Sequence, residues 1–195
     1  MSDYLLNLMK TRRSIRKYTD ERIPKEWLDK IIEAGLYAPN AGGGQRSMLL
    51  VIDGPDLVEK IGRLNASCMH RERLIGGYVS AEQPSLIDDV RIKSGFYGAP
   101  TVIAIFAQKH FLYNTADAFC IAENVVLASH SLGISSCIVA RGEETFETVE
   151  GKSFLEKWNV DENMECKCFV TLGYIDGPYP KEKERRKGRV MVVTG

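Results

Sequence analysis

The sequence predicts an α+β or α/β sandwich, with one central sheet and a long helix inside the protein. Two observations carry that expectation. Segments with helical apolar spacing alternate with short β-like runs along the 195 residues, the pattern of a layered fold. The run "DAFCIAENVVLASHSL", Asp117 to Leu132, is apolar on nearly every face, so as a helix it must be enclosed by protein. A chain of this length holds one substantial domain, or one subunit of an interlocked oligomer, and a single domain over 1–195 is expected.

The elements follow in order. Leu5, Leu6 and Met9 repeat at helical spacing and predict a short amphipathic helix that hands a basic cluster to the following turn or strand. Pro24 suits a first helical turn, and Trp27, Leu28, Ile31, Ile32 and Leu36 form the apolar face of a second helix, stopped by Pro39 and three glycines. "SMLLVID" reads as a strand, "PDLVEKIGRLNA" as a helix and "APTVIAIFA" as a buried strand entered through a proline. Between the last two, residues from about His70 to Phe96 carry glycines, Pro84 and mixed charges, the signature of loops with short helices inserted over a site. Gly133 fits the end of the long helix, "ISSCIVA" resumes as a short β run, and "ECKCFVTLGY" is a further strand. A basic arm over about 178–195 closes the chain, ending in the β-prone "VMVVT".

Lys plus Arg total 26 and Asp plus Glu total 26, so no global charge steers the protein toward nucleic acid or an anionic membrane. The longest apolar run, near Ala99 to Ala107, is too short to span a bilayer. The expectation is a soluble, unexported, cytoplasmic protein. Five scattered cysteines and three dispersed histidines form neither a disulfide framework nor a metal site. Cys166 and Cys168, two apart in a strand, should share one face.

Against that balance, "TRRSIRKYTD" places Arg12, Arg13, Arg16 and Lys17 within ten residues. Side chains at alternate positions of an extended segment converge, so Arg12, Ser14 and Arg16 offer two guanidinium forks and a hydroxyl, a donor set suited to phosphate. A solvated charged turn is the ordinary alternative. "NAGGGQ" permits close backbone approach to a ligand, yet it lacks the lysine and hydroxyl of a P-loop, and no G-x-G-x-x-G follows a strand. "PKEKERRKGR" is a second concentration of cations, with no interleaved aromatics to suggest nucleic acid.

Taken in order, "RRSIRKYTDERIPKEWLDKIIEAGLYAPNAGGGQ" resembles the amino-terminal signature of the nitroreductase family of FMN-dependent enzymes, with its basic-Ser-x-basic opening, proline-started helix, Ala-Pro-polar turn and following glutamine. The likeness continues through "YGAPTVIAIF", "DAFCIAENVVLASHSLGISSCIV" and "FVTLGY" to a Lys-x-Arg element in the basic arm. It implies a nitroreductase-like sandwich with a mainly antiparallel central sheet. It also implies tightly bound FMN, with Arg12, Arg13, Ser14 and Arg16 holding the phosphate, ribityl chain and pyrimidine edge. Lys183 and Arg185, or Arg186 one register on, would close on the phosphate. Pro39, Asn40, Ala41 and Gln45 would line the ring on one side and Val139, Ala140 and Arg141 on the other, and Asn65 is a candidate for the pyrimidine edge. The implied reaction carries a hydride from NADH or NADPH through flavin N5 to a nitroaromatic, quinone or similar acceptor in ping-pong fashion, so no side chain is named as catalytic. A homodimer with flavins at the interface is implied as well. The competing readings are a non-catalytic flavin sensor or carrier, and enone reduction, dehalogenation or azoline oxidation on the same scaffold.

Overall fold

The computed structural model describes residues 2–70 and 78–195. Four strands, β1 (Ser47–Asp53), β2 (Thr101–Gln108), β3 (Ser135–Val139) and β4 (Met164–Gly173), form one sheet in the order β1-β2-β4-β3. Every neighbouring pair is antiparallel. The expected strand "SMLLVID" coincides with β1, whose Met48, Leu50 and Ile52 face the aromatic layer while Leu49 faces the aliphatic one. Seven of the eight residues of β2 are buried, as a continuous apolar run in a central strand requires.

The helices α1 (Ser2–Thr11), α2 (Lys25–Leu36), α3 (Pro55–Ser67), α4 (Asn114–Ser131), α5 (Gly142–Glu147) and α6 (Val149–Lys157) complete the fold. On one face of the sheet α2 and α4 pack an aliphatic layer of Ile31, Ile103, Ile105, Val125, Val126 and Val170. Each such side chain, fully buried, contributes about 1.5–3 kcal/mol. The two helices come close because Gly35 has no side chain; a Cβ there would lie 2.9 Å from Val125. On the other face α3, α5 and α6 enclose an aromatic layer, with Phe96 and Phe169 edge to face at 4.8 Å and Phe106 against Phe146 at 5.5 Å.

Four expectations are corrected. The helix α4 is not enclosed on every side: Phe119 is 40% exposed and Glu123 is exposed with it, leaving one stripe open. Cys166 and Cys168 do not share a face. A bulge between Ile105 and Phe106 of β2 leaves Lys167 unpaired in β4, and the extra residue turns Cys166 into the aromatic layer and Cys168 into the aliphatic one. The described part of the 70–96 insertion holds turns and no helix, and residues 71–77 lie outside the described residues. Finally, "VMVVT" forms no strand: Val190, Met191, Val192 and Val193 are each at least 80% exposed, since β propensity without a neighbouring strand has nothing to pair with.

Candidate functional site

The segment after α1 is extended and pinned to the edge strand β3: Ser14 bridges Ser136, and the Ile15 N–H donates to the Ser136 carbonyl at 3.0 Å. Ile15 is buried in the aromatic layer, so its neighbours on the other side of the pleat turn outward. The carboxyl end of the chain returns beside this segment. Tyr18 bridges Ile175, Thr19 N–H donates to Tyr174 at 2.9 Å, and Asp176 N–H donates to Lys17 at 2.9 Å. Tyr179 finishes the junction: its phenol accepts from the Arg13 N–H at 3.0 Å and donates to the Thr11 carbonyl at 3.0 Å. Its ring stacks on His130, whose Nε2 lies 3.0 Å from the Thr11 hydroxyl. His130 is held below the ordinary imidazole value, first by burial and then by Arg12 and Arg13.

This junction brings the cations of both termini together. Arg12, Arg13, Arg16, Lys181, Lys183 and Arg185 line one cavity of about 230 Å³, and Ser14 lies among them. Arg185, not Arg186, faces it. Among the described residues Glu82 is the single carboxylate on its wall, held below the usual range by its own backbone N–H and by the Ser80 hydroxyl. Among the described residues six cations face one carboxylate there, and although Arg13 is also paired with Glu182 at 3.7 Å, the excess favours an anion. The Arg13 guanidinium is partly committed, donating to the Lys10 carbonyl at 2.7 Å and the Arg12 carbonyl at 2.9 Å, while its Nε is buried with no partner among the described residues.

Arg16 and Val79 also line an adjoining cavity of about 180 Å³, floored by Val139, Ala140 and Arg141 and walled by Leu86, Ile87 and Tyr97. Its floor is rigidly supported. Arg141 adopts the left-handed conformation, φ 66°, a posture that a non-glycine residue keeps only when its surroundings impose it. Asn65 supplies part of that constraint: it is fully buried, its amide donates to the Ala140 carbonyl at 2.9 Å and the Thr145 hydroxyl at 3.0 Å, and its Oδ1 accepts from Arg141 at 3.0 Å. Gly142 supplies more, since a Cβ there would sit 2.5 Å from the Cys166 carbonyl. The bulged Lys167 reaches Glu143 at 2.6 Å and holds α5 against the sheet. Cys137, also on this cavity, stays a neutral thiol, pushed up by burial although Arg16 and Ser14 oppose the shift. It is no nucleophile.

The predicted residues therefore divide. Asn65, expected at the pyrimidine edge, is instead buried beneath the 140–141 turn with its amide in use, and lines neither cavity. Pro39, Asn40, Ala41 and Gln45 are not part of either cavity. They lie at the amino end of α4, where the Ala41 N–H donates to Asp117 at 2.9 Å and Asn40 shapes the turn by accepting from the Gln45 N–H at 2.9 Å. The basic cluster lies at the carboxyl end of the same helix, beside His130. Thirteen helical steps separate Asp117 from His130, a rise of about 20 Å. A larger opening of about 410 Å³ lies beyond Arg16 and Tyr97, but of the predicted residues only Arg16 reaches it. Sequence reasoning missed Val79, Ser80, Gln83 and Tyr97, all from the insertion or its edge. A polar stretch without periodicity carried no signal for them.

The family model described as Nitroreductase family matches residues 9–174. Over 133 residues the chain is 27% identical to a Methanothermobacter thermautotrophicus protein provisionally named NADH dehydrogenase/NAD(P)H nitroreductase; the match covers 68% of this chain and 58% of that relative. It is 23% identical over 180 residues, 91% of each chain, to the iodotyrosine deiodinase of Thermotoga neapolitana. Among solved structures it is similar to a Bacteroides fragilis nitroreductase with bound FMN, with TM-score 0.82 and 27% identity over 98% of this chain and 99% of that one. The match over residues 9–174 and the similarity to the Bacteroides fragilis structure along nearly the whole of both chains lead to one conclusion: the chain belongs to the nitroreductase family and has its fold.

Proposed function

We propose that this protein is an FMN-dependent oxidoreductase that draws on NADH or NADPH and reduces an electron-poor acceptor such as a nitroaromatic or a quinone. One observation carries the reading: cations from opposite ends of the chain line a single cavity, and two of its lining residues, Arg16 and Val79, also line the cavity floored by the 139–141 turn. The residues fit FMN. Arg12, Ser14, Arg16, Lys183 and Arg185 suit a phosphate dianion by charge and donor geometry, and the partnerless Nε of Arg13 adds one buried donor to the same wall. When bound, FMN supplies the two-electron chemistry between NAD(P)H and acceptor. The protein's part is placement and electrostatics. Arg16, shared by both cavities, would set a positive charge near the electron-rich edge of a bound ring and would favour its reduced, more negative state. Ala140 and Arg141, their carbonyls already engaged by Asn65 and Thr145, would present fixed backbone to a bound ring.

The reading includes a homodimer. Pro39 to Gln45 stand about 20 Å along α4 from the cradle, so a second copy is the simplest source of that half of the ring's surroundings. Exposed apolar side chains support it: Tyr4, Leu5 and Leu6 of α1, Phe119 of α4, and the tail run Val190 to Val193. The five free thiols support a reducing, cytoplasmic setting. No helix of the described residues is long and apolar enough to cross a membrane.

The visible spectrum of the purified protein, followed by anaerobic addition of NADH or NADPH, tests the reading. A flavin spectrum that bleaches promptly and returns on adding a quinone supports the enzyme. A colourless protein that takes up no FMN overturns it, and a yellow protein inert to both nucleotides favours a sensor or carrier. Reductive dehalogenation is a second reading, favoured by the full-length similarity to the Thermotoga deiodinase, and halide release from a halophenol under the same conditions separates it from nitro reduction.

A further inference from the structure

The cradle has three walls: the 12–16 segment, the arm carrying Lys181, Lys183 and Arg185, and residues 79–82 of the insertion. Gln83 touches all three. It is fully buried, an uncommon place for a glutamine unless its amide is completely used. Its Oε1 accepts from the Arg16 N–H at 2.8 Å. Its Nε2 donates to the carbonyls of Asp176 at 3.2 Å and Pro178 at 3.4 Å, at the root of the arm. Its own backbone N–H donates to the Ser80 hydroxyl at 3.1 Å, on the third wall. One side chain thereby spends its acceptor on one terminus and its two donors on the other.

The backbone ties between residues 17–19 and 174–176 align the two termini side by side. They end at Asp176; past Gly177, at φ 94°, the Tyr179 phenol binds the backbone of Thr11 and Arg13, short of Arg16. Gln83 adds the tie at Arg16 itself. Its reach of one amide sets the gap between the Arg16 backbone and the Asp176–Pro178 turn, while Tyr179 holds the Thr11–Arg13 end. The Lys183 ammonium then donates to the Val79 carbonyl and seats the arm on the insertion.

We propose that Gln83 is a positioning residue for the phosphate: it holds the two termini at the separation a phosphate dianion bridges and is itself outside the ligand's reach. The proposal rests on the FMN reading. It gives the insertion a role in choosing FMN over riboflavin, which has the same ring and ribityl chain without the phosphate.

The test compares both flavins on the refolded or flavin-stripped full chain by fluorescence quenching. The readout is the ratio of the riboflavin Kd to the FMN Kd. Gln83→Met keeps the volume and removes every amide bond, and should lower that ratio about tenfold, in line with the cost of buried groups left without partners. Gln83→Asn keeps the amide but is one methylene too short to span the gap, and should lower the ratio less, in the same direction. A merely structural glutamine would weaken both flavins together. The proposal is overturned if the ratio equals that of the parent protein in both variants, whether or not stability falls. If Gln83→Met does not fold, Gln83→Asn decides alone. If the parent protein binds neither flavin, the FMN reading fails first, and this proposal falls with it.

Discussion

The two halves of the predicted ligand shell are legible in one continuous motif, yet the chain treats them differently. Arg12 to Arg16 meet Lys183 and Arg185 within one copy, although more than 160 residues of sequence separate them. Pro39 to Gln45, closer in sequence, stay at the far end of α4 on Asp117. A sequence signature records what surrounds a ligand, and says nothing about which copy supplies each part. Proximity along the chain is a poor guide to proximity in the folded protein when an 18-residue helix stands between two turns.

The largest effect should come from the cradle itself. Arg12→Ala and Arg16→Ala should each weaken FMN by about 1.5–3 kcal/mol, the range for hydrogen bonds to charged groups, as read by flavin retention in equilibrium dialysis. Unchanged retention in both would remove the phosphate assignment. Next, a mixed dimer breaks or sharpens the comparison directly. A copy bearing Arg16→Ala, paired with a copy bearing Asn40→Ala, should recover about half of the sites, because one site then combines the intact cradle of one copy with the intact turn of the other. No recovery over either parent homodimer would mean that the two halves do not meet across copies. Sedimentation of a folded, flavin-retaining monomer would refute the dimer outright.

Smaller effects test the floor. Gly142→Ala sets a methyl 2.5 Å from the Cys166 carbonyl and should cost about 1–3 kcal/mol of stability, as overpacking against backbone does. FMN and riboflavin should weaken alike, since the ring's floor moves and the cradle does not. Thermal unfolding with both ligands checks this. The smallest effect is a pH dependence. Burial and the neighbouring Arg12 and Arg13 keep His130 below its ordinary value, so the unfolded chain takes up the proton at higher pH than the folded one. Stability should rise with pH across the window from that depressed value up to about 6.5, and fall as pH drops through it. His130→Gln should flatten the Tm profile there. An unchanged profile would exclude His130 as its source.

Much of the fold was readable because pattern and burial agreed. The strand β1 and the helix α2 carry their period openly, and the composition of α4 overstates its burial along the Phe119–Glu123 stripe. The misses have physical causes. The helices α5 and α6 are short and begin at a left-handed Arg141 and at Thr148, whose hydroxyl accepts from Gly151 at 3.0 Å, with no long apolar face to betray them. The bulge at Lys167 leaves no trace in the alternation, because both cysteines are apolar enough for either layer. In the site, the cationic residues were legible from their clustering. Gln83 was not: its value comes from partners 67 and 93 residues away, and no local feature of "AEQPS" points to them.

The same bulge gives the protein two built-in reporters. Cys166 and Cys168 are one residue apart in β4 but sit in opposite layers, both thiols pushed up by burial and Cys168 to about 12. Neither is open to an alkylating reagent in the native state, whereas Cys68 and Cys120 are partly accessible. Timed alkylation followed by peptide mapping would read the opening of the aromatic and aliphatic sides separately, from neighbouring positions of one peptide, and show whether ligand uptake stiffens one side before the other.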